Sequence, residues 1–199
     1  MLNLEAYFMA TPLKIHFDKI ILGIDPGSNI MGFAIIGIKK NEMHLLEFGY
    51  KTMASLENHI EKLKLISEHI AIIIETYKPD EMAIEAPFFG KNVQSMLKLG
   101  RAQGVAMAVA ITKGVSITEY SAKKIKQSVT GNGNASKEQV AGVLEHILKQ
   151  KLDLRNMDAT DALAIAVCHH FQKNTSTGQG AKYSGWATFL SSNPGRKIQ

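Results

Sequence analysis

Four carboxylates carry the chemistry open to this chain. Asp25 follows the apolar run Ile20-Ile21-Leu22-Gly23-Ile24, and Glu85 follows Met82-Ala83-Ile84. Asp158 and Asp161 stand three residues apart in a helical pattern, so they share one face. Each has an ordinary explanation when taken alone. Asp25 could serve the turn into Pro26-Gly27, Glu85 could pair with a lysine, and Asp158 and Asp161 could cap a helix or oppose its dipole. Four acids placed so that they can converge point to one site. Carboxylates at close range repel and raise each other's pKa, and a divalent cation relieves that. Oxygen-only ligands suit Mg²⁺ or Mn²⁺ rather than zinc or copper.

The elements that must position these acids are legible in the pattern. Short strands are predicted over 20–24, 31–38, 43–50, 82–84 and 115–120. The short connection between Lys39 and Glu42 makes the second and third a hairpin. Helices are predicted over 56–77, 93–112, 121–129, 136–149 and 158–171, with Ser136 and Gln139 forming a capping box. A strand meander followed by alternating strands and helices implies an α/β fold, with a mixed central sheet and helices on its faces. Strand-end acids then lie at the sheet's C-terminal edge, where ligands bind in such folds.

Composition bounds the rest. The chain has 199 residues, 45% hydrophobic and 21% charged, which suits a single globular domain. The longest charge-free windows, 26–38 and 102–112, fall short of the ~20 residues that span a bilayer. No membrane association is expected. No secretory leader is expected either, because Glu5 interrupts the first apolar residues. The lone Cys168 excludes an internal disulfide or a cysteine-cluster zinc site and fits a reducing cytoplasm. Residues 1–18 read as an N-terminal extension in which Met9 could be a second start. Residues 19–171 read as the catalytic domain, and 172–199 as a disordered basic tail with four cations and no acid. Within the domain, residues 91–151 hold ten basic residues against three acidic ones. That excess fits a polyanion partner or a solvated lysine-rich surface equally well. Gly100, Gly104 and Ala108 recur along one helix, for packing on the sheet or for an interface. His169-His170 is expected at the surface or in packing rather than as a metal ligand.

The ordered motifs Ile21-Leu22-Gly23-Ile24-Asp25-Pro26-Gly27-Ser28, Ala83-Ile84-Glu85 and Asp158-Ala159-Thr160-Asp161-Ala162-Leu163-Ala164 resemble the RuvC Holliday-junction resolvases. So do Lys91-Asn92 with Leu97-Lys98-Leu99-Gly100, and Lys126-Gln127 leading into Gly131-Asn132-Gly133. The resemblance implies an RNase H-like fold and a homodimeric endonuclease. It would nick opposed strands of a four-way DNA junction symmetrically, in recombination and repair. It implies catalytic and metal-binding roles for Asp25, Glu85, Asp158 and Asp161, with two Mg²⁺ per subunit for which Mn²⁺ could substitute. Two ions about 3.5–4 Å apart can activate a water and stabilise the leaving oxygen. Asp25 would bridge them, Glu85 would hold one, and Asp161 and Asp158 the other.

The resemblance also implies DNA contacts from Lys126 and Lys137, base stacking by Phe88, and cooperation with the branch-migration proteins RuvA and RuvB. Lys91, Lys98 and Arg101 are further DNA-contact candidates, and Phe89 is expected to pack as a plug. The turn Gly131-Asn132-Gly133-Asn134 is expected to be a mobile loop facing DNA. The long helix that carries Gly100 is expected at the dimer contact. Three other readings compete: an actin-like ATPase, a junction-binding module that does not cut, and an RNase H-like nuclease for RNA or plain duplex. This chain lacks the duplicated domain and second phosphate loop of the first. Retention of all four acids argues against the second.

Overall fold

The computed structural model describes residues 16–87, 92–153 and 157–177. Phe88, Phe89, Lys91 and the chain beyond Thr177 lie outside the described residues.

The chain opens with a meander of β1 (Lys19–Asp25), β2 (Ile30–Lys39) and β3 (Glu42–Thr52). It continues as α1 (His59–Tyr77), β4 (Glu81–Glu85), α2 (Val93–Thr112), β5 (Ser116–Tyr120), α3 (Ala122–Thr130), α4 (Lys137–Leu148) and α5 (Met157–Thr177). The sheet order is β3-β2-β1-β4-β5. β2 pairs antiparallel with β1 and β3, whereas β4 is parallel to β1 and β5 to β4. This is the mixed sheet that the pattern predicts. The central strands are near-continuous apolar runs because both faces are covered. On β1, Ile21 joins the core under α3, α4 and α5, while Leu22 and Ile24 join the core under α1 and α2.

Local chemistry sets the boundaries. Lys40 and Asn41 both take positive φ, 49° and 66°, as a two-residue hairpin turn requires. Asn58 caps α1 by accepting the Ile60 backbone N–H at 2.8 Å, so the helix begins at His59 rather than at 56. The capping box of Ser136 and Gln139 forms as predicted. α5 continues to Thr177, six residues past Phe171. Phe17 and Asp18 are not loose extension: Phe17 is buried against Gly37, and Asp18 accepts the Lys40 N–H at 2.7 Å.

Two glycines decide how α5 lies. A Cβ on Gly23 would fall 2.2 Å from the Ala162 carbonyl oxygen, and one on Gly32 would fall 2.0 Å from that of Asp158. The bare backbones of β1 and β2 therefore let α5 rest directly on the sheet. Small residues on the helix, among them Ala159, Ala162 and Ala166, complete the contact.

On α2 the core face is Ala102, Ala106 and Ala110. Gly100, Gly104 and Ala108 face solvent, and a Cβ at either glycine would meet nothing within 4 Å. Of the two uses left open for that stripe, packing on the sheet is thus excluded. Among the described residues no helix is long and apolar enough to cross a membrane.

His169 takes the packing role left open for it. It is fully buried, and its ring bridges the Tyr120 hydroxyl at Nδ1 (2.9 Å) and Glu81 at Nε2 (2.7 Å). Burial holds the imidazole below its ordinary pKa, so the neutral ring accepts from Tyr120 and donates to Glu81. Lys19 and Lys173 also pair with Glu81. His169→Phe fills similar volume but strands the Tyr120 hydroxyl and takes one of three partners from Glu81. It should cost about 1–3 kcal/mol, read as a lower urea midpoint.

Candidate active site

Asp25 and Glu85 each lie one residue beyond the pair Ile24↔Ile84 on adjacent parallel strands, so both leave the sheet at one edge. Gly32, the antiparallel partner of Asp25, supplies the seat for the start of α5. That contact brings Asp158 and Asp161 over the end of β1. One carboxylate oxygen each from Asp25, Asp158 and Asp161 lie within 4.8 Å of one another. Glu85 stays outside this tight set, yet it acts electrostatically on Asp25 and is itself acted on by Asp161.

The cluster is held against its own charge. Burial, then the charges of Glu85, Asp161 and Asp158, push the Asp25 carboxyl up to about 7, with Lys137 pulling the other way. Burial and Asp161 also raise Glu85, opposed by Lys137 and Lys126. Lys137 makes a very short ion pair with Asp161. Burial would lower the Lys137 pKa, but Asp161, Asp25 and Asp158 outweigh it and raise the ammonium above its ordinary value. An all-oxygen donor set of three or more carboxylates, with a raised pKa at its centre, fits a hard divalent cation.

The basic candidates divide. Lys137 and Lys126 act on the carboxylates, whereas the charges of Lys98 and Arg101 act on His59 at the start of α1. Lys98 is exposed on α2 and is not brought to the acids. The turn expected to be mobile is instead closed by hydrogen bonds. The N–H groups of Asn132 and Gly133 are donated to Thr130 Oγ1 and Gln127 Oε1. Those of Asn134 and Ala135 go to the side chain and carbonyl of Asn132. In this arrangement these amides are already engaged and do not cradle a phosphate.

Gln103 escaped the sequence reading. It is buried on α2, and its Nε2 donates to the Glu85 carbonyl oxygen at 3.2 Å and to Glu119 Oε2 at 2.8 Å. It thereby braces the end of β4 from which the Glu85 carboxylate projects. The available signal was a lone polar residue on a helix face otherwise made of alanines.

Known proteins resemble this chain in sequence and in fold. The family model described as crossover junction endodeoxyribonuclease RuvC matches residues 21–169. A curated protein of that name from Cytophaga hutchinsonii is 57% identical over 178 residues, covering 89% of this chain and 87% of its own. One from Christiangramia forsetii is 54% identical, covering 92% and 94%. The solved Thermus thermophilus RuvC in complex with Holliday junction substrate superposes with a TM-score of 0.75 at 29% identity, covering 80% of this chain and 97% of that one. The yeast mitochondrial Holliday junction resolvase Ydc2, 12% identical with a TM-score of 0.63, shares the fold. A match that runs from β1 into α5 takes in all four acids in order, and so the chain belongs to the RuvC family of crossover junction endodeoxyribonucleases.

Proposed function

We propose that this protein cuts four-way DNA junctions, nicking two opposed strands symmetrically to leave 5′-phosphate and 3′-hydroxyl ends in recombination and repair. The observation that carries this reading is the meeting of Asp25, Asp158 and Asp161 at one edge of the sheet, with Glu85 beside them. Asp25, Glu85, Asp158 and Asp161 are the catalytic and metal-binding residues of the proposal. They would hold two Mg²⁺ per subunit, or Mn²⁺ in its place. The ions would supply acidity for a water nucleophile and charge to stabilise the leaving oxygen. Asp25, on the central strand, is placed to serve both positions. Its elevated pKa favours a bound cation, which would replace repulsion by attraction.

Lys137 neutralises Asp161 in the metal-free protein and is free to turn to a phosphate once a cation takes that carboxylate. Lys126, Lys91 and Lys98 would add contacts to the DNA backbone, and Phe88 would stack on a base at the junction centre. Two-fold symmetric cutting requires two copies. The solvent face of α2, with Val93, Leu97 and Ile111 each more than half exposed beside the open Gly100 and Gly104, supports a homodimer contact there. Residues 19–171, with Phe17 and Asp18 tied to them, are the nuclease domain in this reading. Cooperation with RuvA and RuvB and a cytoplasmic location complete it.

The test is a synthetic four-way junction with Mg²⁺, alongside duplex DNA and an RNA–DNA hybrid. Paired symmetric nicks confined to the junction are expected, and equal cutting of duplex would overturn the reading. Lys137→Ala should weaken junction binding about tenfold near 0.1 M salt. It should also make the dependence of log Kd on log salt shallower by about 0.9, the share of one neutralised phosphate.

A further inference from the structure

Resting on the reading above, we infer that Gln127 is a positioning residue: its side chain clamps the turn between α3 and α4 and so holds the two cations of the site, Lys126 and Lys137, in their places over the acids. The side chain spans the turn with both ends of its amide. Nε2 donates to the Gly131 carbonyl at 2.6 Å, and Oε1 accepts the Gly133 N–H at 3.0 Å. Gly131 takes φ 76° as the C-cap of α3, and its own N–H returns to the Gln127 carbonyl at 3.0 Å. The turn is therefore folded around one residue.

Its placement in the chain gives the clamp its reach. Lys126 immediately precedes Gln127, and Lys137 is the first residue of α4, one position past the Ser136 cap. Gly133 lies against the start of α3, where a Cβ would fall 2.8 Å from Lys123 Cγ and 3.2 Å from the Lys123 carbonyl oxygen. Thr130 adds a second tie, its hydroxyl bonded to the Lys126 and Asn132 carbonyls. Gln127 is exposed and uncharged, touches no carboxylate of the site, and contributes nothing to the core. Its hydrogen bonds serve the path of the turn and, through it, the position of the ammonium that pairs with Asp161.

Gln127→Ala in the full-length protein separates positioning from folding and from affinity. At saturating protein, with a four-way junction and Mg²⁺, the single-turnover cutting rate should fall about tenfold, as expected when a reacting group is held less well. Junction Kd should rise by much less than the tenfold expected of Lys137→Ala, because no charge is lost. The melting temperature should move by no more than about 4 °C. The Gly133 amide should exchange with solvent faster while core amides keep their protection. Gly133→Ala, whose new Cβ would press on Lys123 and disturb the Gln127 bond from its other end, should give the same split of rate from affinity. Wild-type cutting by Gln127→Ala despite a freed Gly133 amide overturns the inference, and so does a rate loss matched by an equal loss of junction binding. Failure of the wild type to cut junctions would instead sink the proposed function itself.

Discussion

Asp25→Asn should bind a four-way junction as tightly as the parent and cut it roughly 10³-fold more slowly, the scale of loss when a central electrostatic group is removed from an active site. Asp25 is the acid on which all the others bear: Glu85, Asp161 and Asp158 each act on it, and it shares the 4.8 Å cluster. The amide keeps the shape and loses the charge that a cation needs. Gel shift in Ca²⁺ measures binding, and single-turnover cleavage in Mg²⁺ measures the chemistry. Cutting at the parent rate would remove Asp25 from the site.

The same substitution should stabilise the metal-free protein, and the sign follows from the carboxyl. Its folded pKa, about 7, lies above the ordinary aspartate value, so folding favours the protonated form. That contribution is complete below the unfolded value and is lost as pH rises through about 7. Above pH 8 without metal, Asp25→Asn should therefore be more stable than the parent by on the order of 2–4 kcal/mol, and below pH 4 the difference should vanish. Saturating Mg²⁺ should narrow the gap, since only the parent binds the cation well.

Gly32→Ala should be the methyl group that most directly dislodges the acids. The new Cβ would sit 2.0 Å from the Asp158 carbonyl oxygen and 2.6 Å from its carbonyl carbon, and a backbone cannot swing aside as a side chain can. The start of α5 must lift, carrying Asp158 and Asp161 away from Asp25. A displacement near 1 Å costs about 100-fold in rate, and the overpacking costs about 1–3 kcal/mol in stability. Gly104→Ala, an exposed helix position where the Cβ meets nothing within 4 Å, serves as the control and should stabilise the fold by about 0.5–1 kcal/mol. A Gly32→Ala protein that cut junctions normally would show that α5 does not need its seat on β2.

The meeting of the acids could be read from sequence because each closes or opens an element. Apolar runs ending in Asp25 and Glu85 fix two strand ends, and the spacing of Asp158 and Asp161 fixes one helix face. The sheet order was not in the pattern, since nothing local tells β4 to pair with β1 rather than with β3. Gly-Asn-Gly-Asn looks flexible in composition, while the hydrogen bonds that close the turn come from the neighbouring Thr130 and from Gln127, four residues before Gly131. The packing role of His169 was legible, but its partners, Tyr120 and Glu81, are 49 and 88 residues away and were not. Gln103 was passed over because a buried amide gains its meaning only from the strand end it supports. Short-range order was thus legible, and the long-range polar pairings were not.

The bed of small residues under α5 has a consequence for how the enzyme fails on heating. Residues 162–168 are almost wholly buried, and at Gly23 and Gly32 the helix backbone comes down directly on the two central strands. Half of the acidic cluster rides on that helix and the other half on the strands beneath it. The pocket has no hinge of its own along which to come apart before the rest. Loss of cutting and loss of tertiary structure should therefore fall at one temperature, in a single cooperative step.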